Sequence, residues 1–140
     1  MPEPARLIIH SLAHAEAALR AARDLETAVV LESPPDAARF WGAPYFLALI
    51  AAARAAVPTA RAETILDCGT APGLAMEALR RGVGTVRLRD TADVVTRVAD
   101  IAGQLGARVE PGPYPTAILD LAQVRDPYEA ARHFLASRTA

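Results

Sequence analysis

The chain has 140 residues, of which 52% are apolar and 22% charged, with a formal net charge of -1. That length fits one compact domain, residues 1–140, and the composition excludes a disordered chain. Arginines scattered along a near-neutral chain leave no basic stripe for nucleic acid, and the longest apolar stretch, Phe46 to Val57, is broken by Arg54 and falls short of the ~20 residues a membrane span requires.

Short β-branched or aliphatic runs alternate with longer Ala-rich stretches of helical period, the pattern of βα units on a parallel sheet. In chain order, a strand at Arg6 to His10 precedes a helix at Ala13 to Leu25. A strand at Ala28 to Glu32 precedes a helix that starts at Asp36 to Arg39 and runs on through Tyr45 to Ala56. The strand Thr64 to Asp67 leads to a helix at Pro72 to Arg81, and the strand Thr85 to Arg89 to a helix at Ala92 to Leu105. Weaker strands at Ala107 to Glu110 and Ala117 to Leu121 come before a last helix at Pro127 to Ala136. Ser33-Pro34-Pro35-Asp36 breaks the chain and offers Asp36 as an N-cap, while Gly82 and Gly106 stand where helix C-termini favour a left-handed residue. Glu110-Pro111-Gly112-Pro113-Tyr114-Pro115 is expected to form a loop, because its prolines cannot continue a central strand. The fold class is therefore α/β with about five βα units.

The single cysteine, Cys68, excludes an internal disulfide, and the N-terminus MPEPARLIIHSLAHAE lacks the charged start, long apolar run and cleavage site of a secretory leader. A cytoplasmic location is expected. All 15 basic residues are Arg, with no Lys in the chain, so neither a Schiff-base lysine nor a phosphate loop ending in Gly-Lys is available.

In parallel α/β folds, ligands gather beyond the carboxyl ends of the strands. The expected strand ends carry His10-Ser11, Glu32-Ser33, Asp67-Cys68, Arg89-Asp90, Glu110 and Asp120. His14 and His133, on the first and last helices, are expected at the surface. Cys68 alone is more often a small buried residue than a ligand.

Two resemblances attach to these residues. Asp67-Cys68-Gly69-Thr70-Ala71-Pro72-Gly73, a strand end running into a Gly-containing turn and a helix, resembles the nucleotide-binding turn of S-adenosylmethionine-dependent methyltransferases. That resemblance implies Asp90 at the ribose hydroxyls and a sheet with a central crossover.

A longer stretch, from about Arg6 to the C-terminus, resembles the N-terminal part of the class II fructose-bisphosphate aldolases, metal-dependent (β/α)₈ barrel enzymes. Ala28-Val29-Val30-Leu31-Glu32-Ser33 is similar to that family's second strand with its terminal Ser. Phe40-Trp41-Gly42-Ala43-Pro44-Tyr45-Phe46 resembles the segment opening the next long helix. Ile65-Leu66-Asp67-Cys68-Gly69 stands where the family has L-D-H-G, Leu105-Gly106-Ala107-Arg108-Val109-Glu110 resembles its next helix end and V-E strand, and Arg125-Asp126-Pro127-Tyr128-Glu129-Ala130 its D-P-E-E-A helix start.

The resemblance implies that Asp67 matches the catalytic acid, Ser33 the phosphate-side serine and Cys68 the position of a metal-binding His. It implies a partial, half TIM-barrel-like parallel sheet holding the front of the barrel and lacking the full metal and phosphate apparatus. The alternative architecture is a three-layer αβα sandwich. The expected site therefore comprises Asp67, Asp90 and Glu110 as catalytic residues, Ser33, Glu32 and Ser11 as substrate-binding residues, and Cys68 with His10 as metal ligands. No cofactor is firmly required; zinc is the candidate metal, and it needs three protein ligands to act as a Lewis acid. An isolated half-barrel leaves a sheet edge and an apolar face open, so a homodimer is expected. The expected role is binding, scaffolding or regulation, with a small phosphorylated or carbonyl metabolite as partner. The alternatives are a metal-dependent lyase whose site is assembled between subunits, and the methyltransferase-like domain.

Overall fold

The computed structural model describes residues 3–139. Its elements are β1 (Ala5–Ile8), α1 (Leu12–Asp24), β2 (Val29–Glu32), α2 (Ala37–Phe40), α3 (Ala43–Ala56), β3 (Ala62–Asp67), α4 (Pro72–Arg80), β4 (Thr85–Leu88), α5 (Ala92–Gln104), β5 (Arg108–Pro111), β6 (Ile118–Asp120), a single 3₁₀ turn at Leu121–Gln123, and α6 (Pro127–Thr139). The hydrogen-bonded strand order is β5-β4-β3-β2-β1-β6. All six expected strands form one parallel sheet, with helices between successive strands from β1 to β5, so the α/β expectation holds.

The chain divides into two compact units, one running to Glu32, taking in Ala48–Thr64 and resuming at Pro115, the other made of Ser33–Leu47 and Ile65–Tyr114. In the first, β1 pairs in parallel with β2, Leu7 opposite Leu31 and Ile8 opposite Glu32, and on its other side with β6, Ile8 opposite Asp120. Leu7 and Leu31 are fully buried. The Ser11 hydroxyl caps α1 by accepting the His14 N–H, which satisfies one of the donors a helix start leaves open. Ala15, Ala18, Leu19 and Ala22 then recur at helical spacing and are buried. Helix α6, with Ala131 and Leu135 buried, packs along α1.

In the second unit, the end of β3 pairs with β4, and β4 with β5, all in parallel. Strand alternation sends Leu66, Val86 and Leu88 to one face and Asp67 and Arg87 to the other. All five are buried, so this strand face encloses charge.

Three local expectations are corrected. The helix from Asp36 to Ala56 is two helices: Trp41 and Gly42 interrupt it, Gly42 with φ +79°, and Pro44 sits in the first turn of α3, where its missing N–H costs nothing. Asp36 precedes α2 but does not cap it with its side chain; its backbone is left-handed, φ +60°. The segment beginning at Glu110 is not all loop, since β5 extends through Pro111; β5 is an edge strand, where a residue without an N–H is tolerated. Gly82 and Gly106 adopt the expected left-handed backbone, with φ +101° and +72°.

Candidate functional site

The residues expected to carry chemistry fall into two clusters, one in each unit. In the second unit, Asp67, Arg87 and Glu110 occupy one register row across β3, β4 and β5. Charge alternates along this row. Asp67 is 1% exposed, and both of its carboxylate oxygens accept hydrogen bonds. Oδ2 accepts the Asp36 N–H at 2.7 Å and the Gly69 N–H at 3.2 Å, while Oδ1 accepts from Arg89 Nη1 at 3.4 Å. One buried carboxylate thus ties the loop after β2 to the turn after β3 and to the end of β4. The Asp67 N–H in turn donates to Ser33 Oγ at 2.9 Å, and the Ser33 hydroxyl donates its proton to the Pro34 carbonyl at 3.1 Å. A phosphate-binding serine must donate to the phosphate, and in this arrangement the Ser33 proton is already placed.

Gly69 has φ +57°, and a Cβ built there would stand 1.9 Å from Asp36 Oδ1. The turn thus closes on Asp36. Arg87, 2% exposed, donates to the Pro113 carbonyl at 3.0 Å, and its guanidinium lies 4.9 Å from the Tyr114 ring centre. The Tyr114 hydroxyl reaches back to the Ser33 carbonyl at 2.7 Å. Arg87 and Tyr114 were missed in the sequence, whereas Arg89 was named at its strand end without a role. The available signal was the alternation Val86-Arg87-Leu88, which puts a guanidinium inside a buried strand.

Glu110 is half-buried, with Arg108 at 3.7 Å. Asp90 is exposed, and its carboxylate accepts the Thr91 N–H at 2.7 Å. Cys68, one residue past Asp67, points to the opposite face and is 1% exposed; its thiol donates weakly to the Leu66 carbonyl at 3.8 Å. Burial, and then the neighbouring Asp67 charge, push the Cys68 thiol up to about 12. Zinc binds the thiolate, the charged form that this burial disfavours.

The first unit holds the second cluster. Arg6 Nη1 donates to Glu32 Oε2 at 3.1 Å, with Glu32 1% exposed. At the carboxyl ends of β1 and β6, His10 Nε2 and Asp120 Oδ1 lie 2.7 Å apart. Asp120 Oδ1 also accepts the Ala122 N–H, opening the 3₁₀ turn. The backbone N–H of His10 donates to His14 Nδ1 at 3.0 Å, and the two imidazoles meet edge to face. His14 is therefore not the plain surface residue expected: burial, followed by the nearby His10, lowers its pKa. His133 is exposed, as expected. Among the described residues, no group of three or more His, Cys, Asp or Glu side chains is placed to hold a metal ion.

No family model matches the chain, and no curated protein matches it. Among solved structures, it is similar to a Coccidioides immitis protein provisionally assigned as a fructose-1,6-biphosphate aldolase, with TM-score 0.66 and 12% identity. The match covers 93% of this chain and 53% of that one, so the chain spans about half the length of this neighbour. The likeness establishes an aldolase-like α/β fold. The sequential order of β1 to β5 fits it, with β6 on the far side of β1. Because β2 and β4 flank β3, the order does not reverse at the Asp67–Gly73 turn, and the crevice implied by the methyltransferase resemblance is missing there. Among the described residues, no helix is long and apolar enough to cross a membrane.

Proposed function

We propose that the chain is a class II aldolase-like module, corresponding to the front of that barrel, which binds a small phosphorylated or carbonyl metabolite and does not catalyse aldol cleavage. The observation that supports this is the state of Asp67. A general acid or base must present a lone pair or proton to the substrate, and the Asp67 carboxylate is 1% exposed, with both oxygens accepting from Asp36, Gly69 and Arg89. The buried Cys68 thiol, standing where the family's metal-binding His would be with no set of three ligands around it among the described residues, supports the same reading. Arg89, with a third of its side chain exposed and its position held by Asp67, is the residue we assign to an anionic ligand.

Calorimetric titration with dihydroxyacetone phosphate and fructose 1,6-bisphosphate, together with a cleavage assay with zinc and with chelator, tests this. Saturable binding is expected, weakened about tenfold in Arg89→Ala through loss of one charge-assisted contact, with no cleavage in either condition. Chelator-sensitive cleavage would overturn the non-catalytic assignment, and absence of binding to both compounds would overturn the ligand assignment.

A further inference from the structure

The His10–Asp120 pair lies outside the cluster around Asp67, and the proposed binding role leaves it unused. Carboxylates only accept, so in the neutral imidazole Asp120 holds the His10 proton on Nε2 and the lone pair stands on Nδ1. No described residue bonds to that Nδ1. The His10 backbone is held as well, its N–H tied to His14 Nδ1 at 3.0 Å, and the ring meets the His14 imidazole edge to face. About a third of the His10 side chain and nearly half of the Asp120 side chain remain open to solvent. An imidazole with one nitrogen pinned by a carboxylate and the other bare and accessible is an activated nucleophile.

The surroundings favour an anionic electrophile. His10 directly precedes the Ser11 cap of α1, a 13-residue helix. The first N–H groups of a helix have no carbonyl partners in a preceding turn. The Ser11 hydroxyl takes the one from His14, while Leu12 and Ala13, both exposed, keep theirs available for an anion. His14 accepts the His10 N–H at Nδ1, so that nitrogen carries no proton toward the site.

We propose that His10 is a phosphoryl-accepting histidine, with Nδ1 as nucleophile and Asp120 as its positioning residue. In the transfer, the Nδ1 lone pair forms the N–P bond as the bond between phosphorus and the donor's leaving group breaks, and the leaving group departs with that electron pair. The Nε2 proton stays in the hydrogen bond to Asp120, whose charge offsets the cationic imidazole. The donor class is an activated phosphate, a phosphoramidate or an acyl phosphate; no oxidant or metal enters the balance. This inference is independent of the reading at Asp67, and either can fail without the other.

The chain carries its own control in His133, an exposed imidazole without a described carboxylate partner. The full-length protein is treated with phosphoramidate, and site occupancy is followed by peptide mass spectrometry under non-acidic conditions, with ³¹P NMR to assign the nitrogen. His10 is expected to be phosphorylated about tenfold faster than His133, the advantage of one charge-assisted hydrogen bond, with phosphorus on Nδ1. Asp120→Asn keeps an oxygen for the Ala122 N–H, so the turn is retained; the His10 rate should fall to that of His133 while the His133 rate and the melting temperature hold. His10→Gln should abolish the fast adduct alone. Equal rates at His10 and His133, phosphorus on Nε2, or an Asp120→Asn rate equal to that of the unsubstituted protein would each overturn the assignment.

Discussion

Asp67 shows how burial changes what a carboxylate does. Exposed at a strand end, it would be free to exchange protons with a ligand; at 1% exposure it is the common acceptor for two backbone N–H groups and a guanidinium. Removing it strands all three donors. Asp67→Ala is therefore expected to destabilise the fold by about 3 kcal/mol, from unsatisfied buried donors and a broken ion pair. Asp67→Asn keeps one oxygen and should cost roughly half as much, because a neutral acceptor makes weaker bonds. Urea unfolding of the two variants measures this; an unchanged midpoint for Asp67→Ala would show that the tether is not needed. The sequence located Asp67, but not this role. Its partners come from Asp36, 31 positions away, and Arg89, 22 positions away, and no local pattern announces such pairings. His14 was misplaced for a related reason: helical spacing describes its own helix but not the His10 N–H that turns back onto it.

At the scale of elements, local chemistry was legible wherever period and punctuation agreed. Every strand and most helix ends followed from apolar runs, Gly82 and Gly106. The break between α2 and α3 was hidden by the mostly apolar run from Ala37 to Ala56, in which only Arg39 and Arg54 are charged, although Gly42 and Pro44 carried the signal. Asp36 is the instructive error. As a side-chain N-cap, its loss would cost about 1 kcal/mol. Its side chain makes no cap bond and its backbone is left-handed, a conformation that costs a non-glycine residue about 1 kcal/mol. Its useful contact, the N–H to Asp67, belongs to the backbone. Asp36→Gly is thus expected to be neutral or stabilising by up to about 1 kcal/mol, less the added freedom of glycine in the unfolded chain. Thermal unfolding decides it: a loss of about 1 kcal/mol would restore the capping role.

At the scale of the whole molecule, the two compact units interleave along the chain. Their boundaries fall after Glu32, Leu47, Thr64 and Tyr114, so two of them cut through regular elements, α3 and β3. Neither unit is a continuous piece of sequence. Melting one alone would have to end a helix in mid-course and a strand between Thr64 and Ile65, leaving helical carbonyls and strand amides without partners. The cost of those interrupted ladders favours a single cooperative transition, as for small single domains. The chain has one tryptophan, Trp41, which belongs to the second unit and packs on Tyr45 at 5.2 Å between ring centres. Its fluorescence therefore reports that unit, whereas far-ultraviolet circular dichroism reports the helices of both. The two signals are expected to follow one urea curve with one midpoint. Fluorescence changing at clearly lower urea than helicity would mean that the second unit opens by itself, and that the continuity of α3 and β3 does not bind the two into one folding unit.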